Sequence, residues 1–247
     1  MLKKKDLKYF KNKRVLITGH TGFKGSWLSI FLTLLGAKVY GISKDIPSKP
    51  SHFILTNLKK RMFKSEIVNL SNRKRIVKIF KDFKPEIVFH LAAQSLVGKS
   101  YTNPLTTWET NTIGTINVLE ALRSIKRRTY VILITSDKVY KNIEITRGYF
   151  ENDELGGIDP YGASKAAAEI AIRSYIQSFF SKKDNKVFIT IARAGNVIGG
   201  GDWSENRLIP DCMRSWLNYK SVTIRNPNST RPWQHILDVL NGYISLA

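Results

Sequence analysis

Tyr161 and Lys165 lie four positions apart, so on a helix the phenol and the amine share one face, a turn from each other. A tyrosine acts as a general base only as its phenolate. Its ordinary pKa is about 10, so ionisation near neutral pH needs roughly 4 kcal/mol of differential stabilisation, part of which a neighbouring ammonium can supply. Taken alone, the pair reads equally well as two surface residues of an ordinary helix. A second motif far upstream shifts the balance. Gly19, Gly22 and Gly25 punctuate the stretch between an apolar run at 14–18 and a helical pattern that follows it. In that setting the first glycine permits a tight turn, the second lets the backbone approach a diphosphate, and the third lets helix and strand pack closely. The helix N-terminus then offers free N–H groups and a positive dipole end to phosphate oxygens. The order Lys24, Gly25, Ser26 puts the lysine one place early for a P-loop, which excludes that motif and leaves a dinucleotide turn or a plain strand-to-helix connection. With a dinucleotide bound, a positive nicotinamide ring adds to the stabilisation of the Tyr161 phenolate.

Such residues need an alternating frame to bring them together, and the chain carries one. Short β-rich runs at 14–18, 38–42, 66–69, 85–90, 130–135 and 187–192 alternate with helical patterns through 27–35 (stopped by Gly36), 73–81, 111–125 and 161–180. This rhythm predicts an α/β fold, a doubly wound parallel Rossmann sheet. After Gly199, Gly200 and Gly201 the rhythm weakens. A nucleotide-binding core is therefore expected over 1–198, and the start of a smaller substrate-binding region over 199–247. The apolar positions Ile236, Leu237, Val239, Leu240, Tyr243 and Ile244 form a helical pattern that runs uncapped to Ala247, so that region is expected to be incomplete. The end of the second strand is where an acidic residue favours NAD and a basic one NADP. It reads Ser43, Lys44, Asp45, which leaves both dinucleotides open.

One cysteine, Cys212, excludes a disulfide framework and a cysteine-rich zinc module. The histidines His20, His52, His90 and His235 show no metal-ligand spacing, so no metal site is expected. The apolar run around Trp27 to Leu35 is far short of the roughly 20 residues of a membrane-spanning helix, and no apolar signal core follows the basic N-terminus (Lys3, Lys4, Lys5, Lys8). A soluble, cytoplasmic protein without a membrane partner is the expectation. Forty basic against nineteen acidic residues give a net charge of +21, a field that attracts polyanions. The lysines are scattered and lack interleaved aromatic platforms, so nucleotide phosphates are the expected anions rather than nucleic acid.

The ordered set of motifs resembles the extended short-chain dehydrogenase/reductase family of nucleotide-sugar enzymes. The resemblance runs through Thr18-Gly-His-Thr-Gly-Phe-Lys-Gly25, His90-Leu-Ala-Ala-Gln94, Asn111-Thr-Ile-Gly-Thr115 and Tyr161-Gly-Ala-Ser-Lys165. It is closest to the 4,6-dehydratase branch acting on CDP-glucose, through Gly19 to Trp27, Thr135-Ser-Asp-Lys-Val-Tyr140, the stretch Arg193 to Trp203, Arg207-Leu-Ile-Pro-Asp211 and Arg231-Pro-Trp-Gln-His235. The resemblance implies a hydro-lyase of deoxysugar and O-antigen biosynthesis that oxidises the sugar at C4, loses water across C5 and C6, and returns the hydride to C6. It implies that Tyr161 and Lys165 act at the 4-hydroxyl, that Ser136 hydrogen-bonds the 4-oxygen, and that Asp137 is the acid for the departing C6 oxygen. Lys138 stands where most 4,6-dehydratases have Glu, and is either the C5 base or an orienting donor. NAD, with NADP still open, is expected against Gly19, Thr21, Gly22, Phe23, Lys24, Gly25, Ser43, Lys44, Asp45, Asn69, Leu70, Leu91, Ala92, Ala93, Tyr161 and Lys165. The nucleotide sugar is expected against Gln94, Asn196, Arg207 and Arg231. Trp203 and Trp233 either lie near the nucleotide or fill the core. A homodimer or larger homo-oligomer is the implied assembly.

Overall fold

The computed structural model describes residues 8–224 and 226–247; Lys3, Lys4 and Lys5 of the basic N-terminus lie outside the described residues. Strands β1 (Arg14–Thr18), β2 (Lys38–Ser43), β3 (Lys64–Ile67), β4 (Ile87–His90), β5 (Thr129–Ile134) and β6 (Val187–Ala192) pair in parallel in the order β3-β2-β1-β4-β5-β6. The central strands are nearly all apolar because helices cover both faces of the sheet. On one face Val15, Ile17, Phe89 and Ile132 pack with Leu28 and Leu32 of α1 (Phe23–Leu34). On the other, Leu16, Val88, Val131 and Leu133 pack with α3 (Arg73–Phe83), α6 (Gly114–Leu122) and α7 (Pro160–Tyr175) through Ile76, Phe80, Val118, Leu122 and Ile172. This is the expected doubly wound Rossmann architecture.

Three details differ from the sequence reading. The third strand lies two residues earlier than 66–69, because Tyr40 pairs with Lys64 and Ser43 with Ile67. Two short helices unmarked by periodicity, α2 (His52–Leu55) and α4 (Val97–Thr102), occupy the connections after β2 and β4. The helix expected over 111–125 begins at Pro104: α5 (Pro104–Trp108) passes through a π-helical turn at Glu109–Ile113 into α6. Beyond the main sheet, β7 (Asn196–Ile198) pairs in parallel with β8 (Trp233–His235), and α8 (Leu208–Leu217) lies between them in sequence. The chain then returns to the first core through α9 (Ile236–Ser245), whose Val239, Leu240, Tyr243 and Ile244 are buried there.

One buried ion pair ties three of these elements at the carboxyl edge of the sheet. Glu169, on α7 one turn past Lys165, has no exposed surface. It accepts from the Thr135 hydroxyl at 2.6 Å and from Arg193 Nε at 2.9 Å and Nη2 at 2.6 Å. The Arg193 guanidinium also lies 4.5 Å from the Tyr140 ring centroid. Removing one partner of such a pair strands the other charge in a low-dielectric interior. Replacement of Glu169 by Gln should therefore cost about 3–5 kcal/mol, read as a lowered urea midpoint.

Two buried histidines tie the strand tips. His90 meets Thr18 Oγ1 at 2.7 Å and Thr115 Oγ1 at 3.0 Å, and His20 meets Ser43 Oγ at 2.9 Å and Ser65 Oγ at 2.7 Å. Burial lowers His20 to about 4; burial and the Lys165 charge lower His90 to about 3. The unfolded chain binds these protons more readily, so stability should fall as pH drops below about 6.5 toward the folded values. Urea midpoints measured from pH 7 to 4 should decline less steeply in His90→Gln than in the parent protein.

Candidate active site

The glycine turn sits where β1 hands over to α1. Gly19 has φ of +79°, and a Cβ there would lie 2.7 Å from the Ala92 amide nitrogen. A Cβ on Gly25 would overlap the Gly19 carbonyl oxygen, so the turn closes only with both glycines. Around Gly22 the space is nearly open: a Cβ at that position would meet only the Gly19 oxygen, at 3.4 Å. That leaves the N-terminus of α1 accessible to a diphosphate, and the residues present fit a dinucleotide. Thr21 is fixed by its hydroxyl, which donates to the Asp45 carbonyl at 2.6 Å. Phe23 and Leu91 pack against the first core, and Ala92 N donates to Thr18 Oγ1 at 3.1 Å. Ala93 follows at the same half-buried strand exit.

The end of β2 divides differently from the sequence reading. Ser43 is buried, with its hydroxyl bonded to His20 and accepting the Thr21 N–H at 3.2 Å, so it braces the turn. Lys44 and Asp45 are exposed at the edge. Asn69 is exposed and caps Ser71 N at 3.0 Å, while Leu70 is buried under Gly114.

The second half of the site assembles around α7. Asp159 caps this helix, accepting from the Tyr161 and Gly162 amides at 3.0 Å, with Pro160 in its first turn. This places Tyr161 at the mouth of the helix and Lys165 one turn inside, both buried. The Lys165 ammonium donates to the Ile134 carbonyl at the end of β5, at 3.1 Å. The next residues form the acid turn. Ser136 Oγ donates to Asp137 Oδ1 at 2.9 Å and accepts from Lys138 N at 3.2 Å. A Cβ on Gly162 would lie 2.8 Å from the Lys138 carbonyl oxygen, so this glycine lets the acid turn sit directly on the start of α7. Burial raises the Tyr161 phenol, opposed by its hydrogen bond with Ser136 and by the Arg207 charge. Burial first, and then the Lys24 charge, bring Lys165 down to about 7.

Among the expected substrate residues, Arg207 closes the cleft, donating to Asp202 Oδ2 at 3.0 Å and to Ser95 Oγ at 3.1 Å. Asn196 opens β7 opposite Trp233, and its N–H donates to the Pro232 carbonyl at 3.1 Å, so it neighbours the segment carrying the exposed Arg231. Gln94 is bonded within its own loop. Its amide donates to Leu96 O and Thr107 Oγ1, both at 3.0 Å, and its oxygen accepts from Leu96 N at 2.7 Å, so it shapes its own loop. Trp203 is half-buried with its indole N–H unpartnered, beside a cavity of about 190 Å³ lined by Ile209, Pro210 and Met213. Trp233 is exposed at 41%, outside the core.

Sequence reasoning missed the supports. The π-helical turn aims Asn111 inward, where its amide donates to Gln94 O at 3.1 Å and Ser164 Oγ at 2.9 Å. Thr112 Oγ1 donates to Ser164 O at 2.9 Å. Glu169 was findable, since it lies four residues beyond Lys165 on the same helix. Tyr243 gave no signal beyond apolar periodicity, yet its hydroxyl lies 3.5 Å from Lys24 Nζ. Among the described residues there is no group of three or more His, Cys, Asp or Glu that could hold a metal ion. No helix described is long and apolar enough to cross a membrane.

The GDP-mannose 4,6 dehydratase family model matches residues 16–247. A CDP-glucose 4,6-dehydratase of Salmonella typhimurium is 47% identical over 98% of this chain and 68% of its own length. Epimerase Mth375 of Methanothermobacter thermautotrophicus superposes with a TM-score of 0.83 at 22% identity, over 98% of this chain and 70% of that one. MoeE5, solved in complex with UDP-glucose and NAD, gives a TM-score of 0.76 at 25% identity over 95% of this chain and 71% of its own. Glycine turn, phenol–amine pair and acid turn thus stand on a shared scaffold, and the chain belongs to the GDP-mannose 4,6 dehydratase family of the extended short-chain dehydrogenase/reductases.

Proposed function

We propose that this chain is a nucleotide-sugar 4,6-dehydratase that converts CDP-glucose into CDP-4-keto-6-deoxyglucose with NAD. The observation that carries the reading is the seating of Ser136, Asp137 and Lys138 directly on the first turn of α7, beside Tyr161. An epimerase needs the phenol and the amine; the loss of water also needs an acid and a base close to them. NAD, held at the glycine turn, would supply the hydride acceptor for C4 and the donor for C6, with no net oxidation.

The chain's own groups divide the proton chemistry. Tyr161 as phenolate takes the O4 proton, and Ser136 hydrogen-bonds the 4-oxygen. Burial opposes that ionisation; the hydrogen bond with Ser136 and then the Arg207 charge offset it, and the Lys165 ammonium one turn along α7 adds to them. Once the 4-ketone forms, the C5 proton is acidic and passes to Lys138 in its neutral form. Asp137 gives its proton to the departing C6 oxygen, which leaves as water, and regains one from solvent as Tyr161 releases the O4 proton. The C5 proton is then restored as C6 is reduced, so one molecule of water is the whole loss. Asn196 and Arg231 suit the substrate diphosphate, as the guanidinium fork matches phosphate oxygens. The large apolar side chains exposed on α4, α5 and α7, Tyr101, Leu105 and Ile170, fit the homodimer that the resemblance implies.

Incubation of the protein with CDP-glucose and NAD should give a product lighter by one water in mass spectrometry. Tyr161→Phe should lower the rate by about 100-fold or more. A product of unchanged mass but altered sugar stereochemistry would instead favour an epimerase. Asp137→Asn should slow water loss by about 100-fold to 10,000-fold while absorbance at the reduced-nicotinamide band still rises on substrate addition. Full dehydration by that variant would remove Asp137 from the elimination step.

A further inference from the structure

Gly199, Gly200 and Gly201 follow one another where the alternating rhythm ends, and the nucleotide core grips this series from three sides. A Cβ on Gly199 would lie 2.5 Å from Ile236 Cγ2 at the start of α9 and 3.4 Å from the Phe23 ring on α1. The Gly200 carbonyl accepts from the Trp27 indole N–H at 2.8 Å, across 173 positions of sequence. Gly201 has φ of +86°, and a Cβ there would lie 2.5 Å from the His52 ring, so only glycine fits beneath that histidine. His52 is itself held from α1: its Nδ1 lies 2.8 Å from Ser26 Oγ, and its ring stacks on Trp27 with centroids 4.7 Å apart and planes 16° from parallel. An indole–imidazole stack is thus wedged between the first turns of α1 and the glycine series. Beyond the wedge stands the residue that closes the cleft. Asp202 follows Gly201 directly, and its carboxylate accepts from Ser204 N at 3.1 Å and from Arg207 Nη1 at 3.0 Å. Arg207 Nη2 then donates to Ser95 Oγ at 3.1 Å. The path from Trp27 to Arg207 is continuous: indole to the Gly200 carbonyl, backbone to Asp202, carboxylate to guanidinium.

We infer that Trp27 and His52 are positioning residues, which lock the 199–202 segment so that Asp202 aims Arg207 across the cleft at the nucleotide sugar. On the nucleotide-sugar reading of the cleft, on which this rests, Arg207 touches the substrate, and Trp27 and His52 act only through it. The physical gain is preorganisation. An arginine side chain is long and flexible, and a guanidinium fixed before the ligand arrives has less freedom to lose on binding. Trp27 is half-buried, yet its single donor goes to a loop carbonyl rather than to its own helix. The helix whose N-terminus faces the dinucleotide therefore also sets the arm that meets the substrate, and one rigid element serves both halves of the cleft.

The test is a double-mutant cycle on the full chain, read by calorimetry with CDP-xylose, a nucleotide sugar that lacks C6 and so cannot lose water. Trp27→Phe keeps a ring against His52 and removes only the N–H; it should weaken CDP-xylose binding about 3-fold to 10-fold. Arg207→Met should weaken it about 10-fold or more. The double variant should bind within about twofold of Arg207→Met alone, because the wedge acts through the arginine. Additive losses, or parent-like binding by Trp27→Phe, would overturn the inference. NAD affinity should stay within about twofold in Trp27→Phe; an equal fall there would mean a general loosening of α1 and overturn the positioning role. Parent-like binding by Arg207→Met would count against the nucleotide-sugar reading instead. The wedge itself is read without ligand, by a protease that cuts after glutamate. In Trp27→Phe, cleavage at the exposed Glu205 should quicken about 3-fold to 10-fold, while cleavage at the exposed Glu154, in another loop, stays as in the parent. Unchanged cleavage at Glu205 would overturn the wedge whatever the cleft binds.

Discussion

The Glu169 carboxylate is the constraint on which the rest of the site depends. It has no exposed surface, so it must be fully partnered, and its partners are the residues that immediately follow two strands. Thr135 precedes Ser136, Arg193 follows β6, and Lys165 lies one turn away on the same helix. A single buried charge therefore sets the distance between the helix bearing the phenol and the strand tips bearing the acid turn. The hydrogen bond of Lys165 to Ile134 repeats the same link one residue earlier on β5. A misplacement of about 1 Å can cost a catalytic group about 100-fold, and the ion pair gives the cleft rigidity at some cost in desolvation.

Much of this was legible in the sequence. Strands flanked by glycine and helices of clear period carry their own identity, and the parallel order follows from their alternation. The glycine turn was legible because Gly19 and Gly25 answer steric demands that no other residue meets, and Gly22 leaves space at the helix N-terminus. What stayed hidden were relations between distant segments. Nothing local marks Tyr243 as the partner of Lys24, 219 positions away. The bonds of the Gln94 amide to Leu96 and Thr107 are likewise revealed by no spacing rule. The third strand slipped by two residues because Glu66 and Asn69 look alike to a propensity argument, and only pairing with β2 fixes the register.

The electrostatics of the cleft explain where the large positive charge matters. Most of the lysines lie on the exterior, where each contributes little beyond attraction at a distance. Lys24, Lys165 and Arg207 are different: they come from a glycine turn, a helix and a loop, and Lys24 feels the charge of Arg207 as Lys165 feels that of Lys24. The acidic groups near Lys24, Asp137 and Asp202, are already engaged by a hydroxyl and a guanidinium. The cleft is thus cationic by construction as well as by composition.

The π-helical turn at Glu109–Ile113 sits in the middle of a helix that has two unlike neighbours. Upstream and within the turn, the helix meets α7 through Asn111 and Thr112, with polar contacts to Ser164. Downstream, α6 meets α3 and the sheet through Val118, Leu119 and Leu122. A regular helix presents one stripe along its whole length, whereas one inserted residue rotates everything beyond it by about 100°. The insertion works as a gear: it lets one continuous rod show a polar side to the catalytic helix and an oily side to the sheet. Deleting a single residue there would turn one of those two faces toward the wrong partner, so the length of this helix is fixed to the residue even though its outer surface is free to vary.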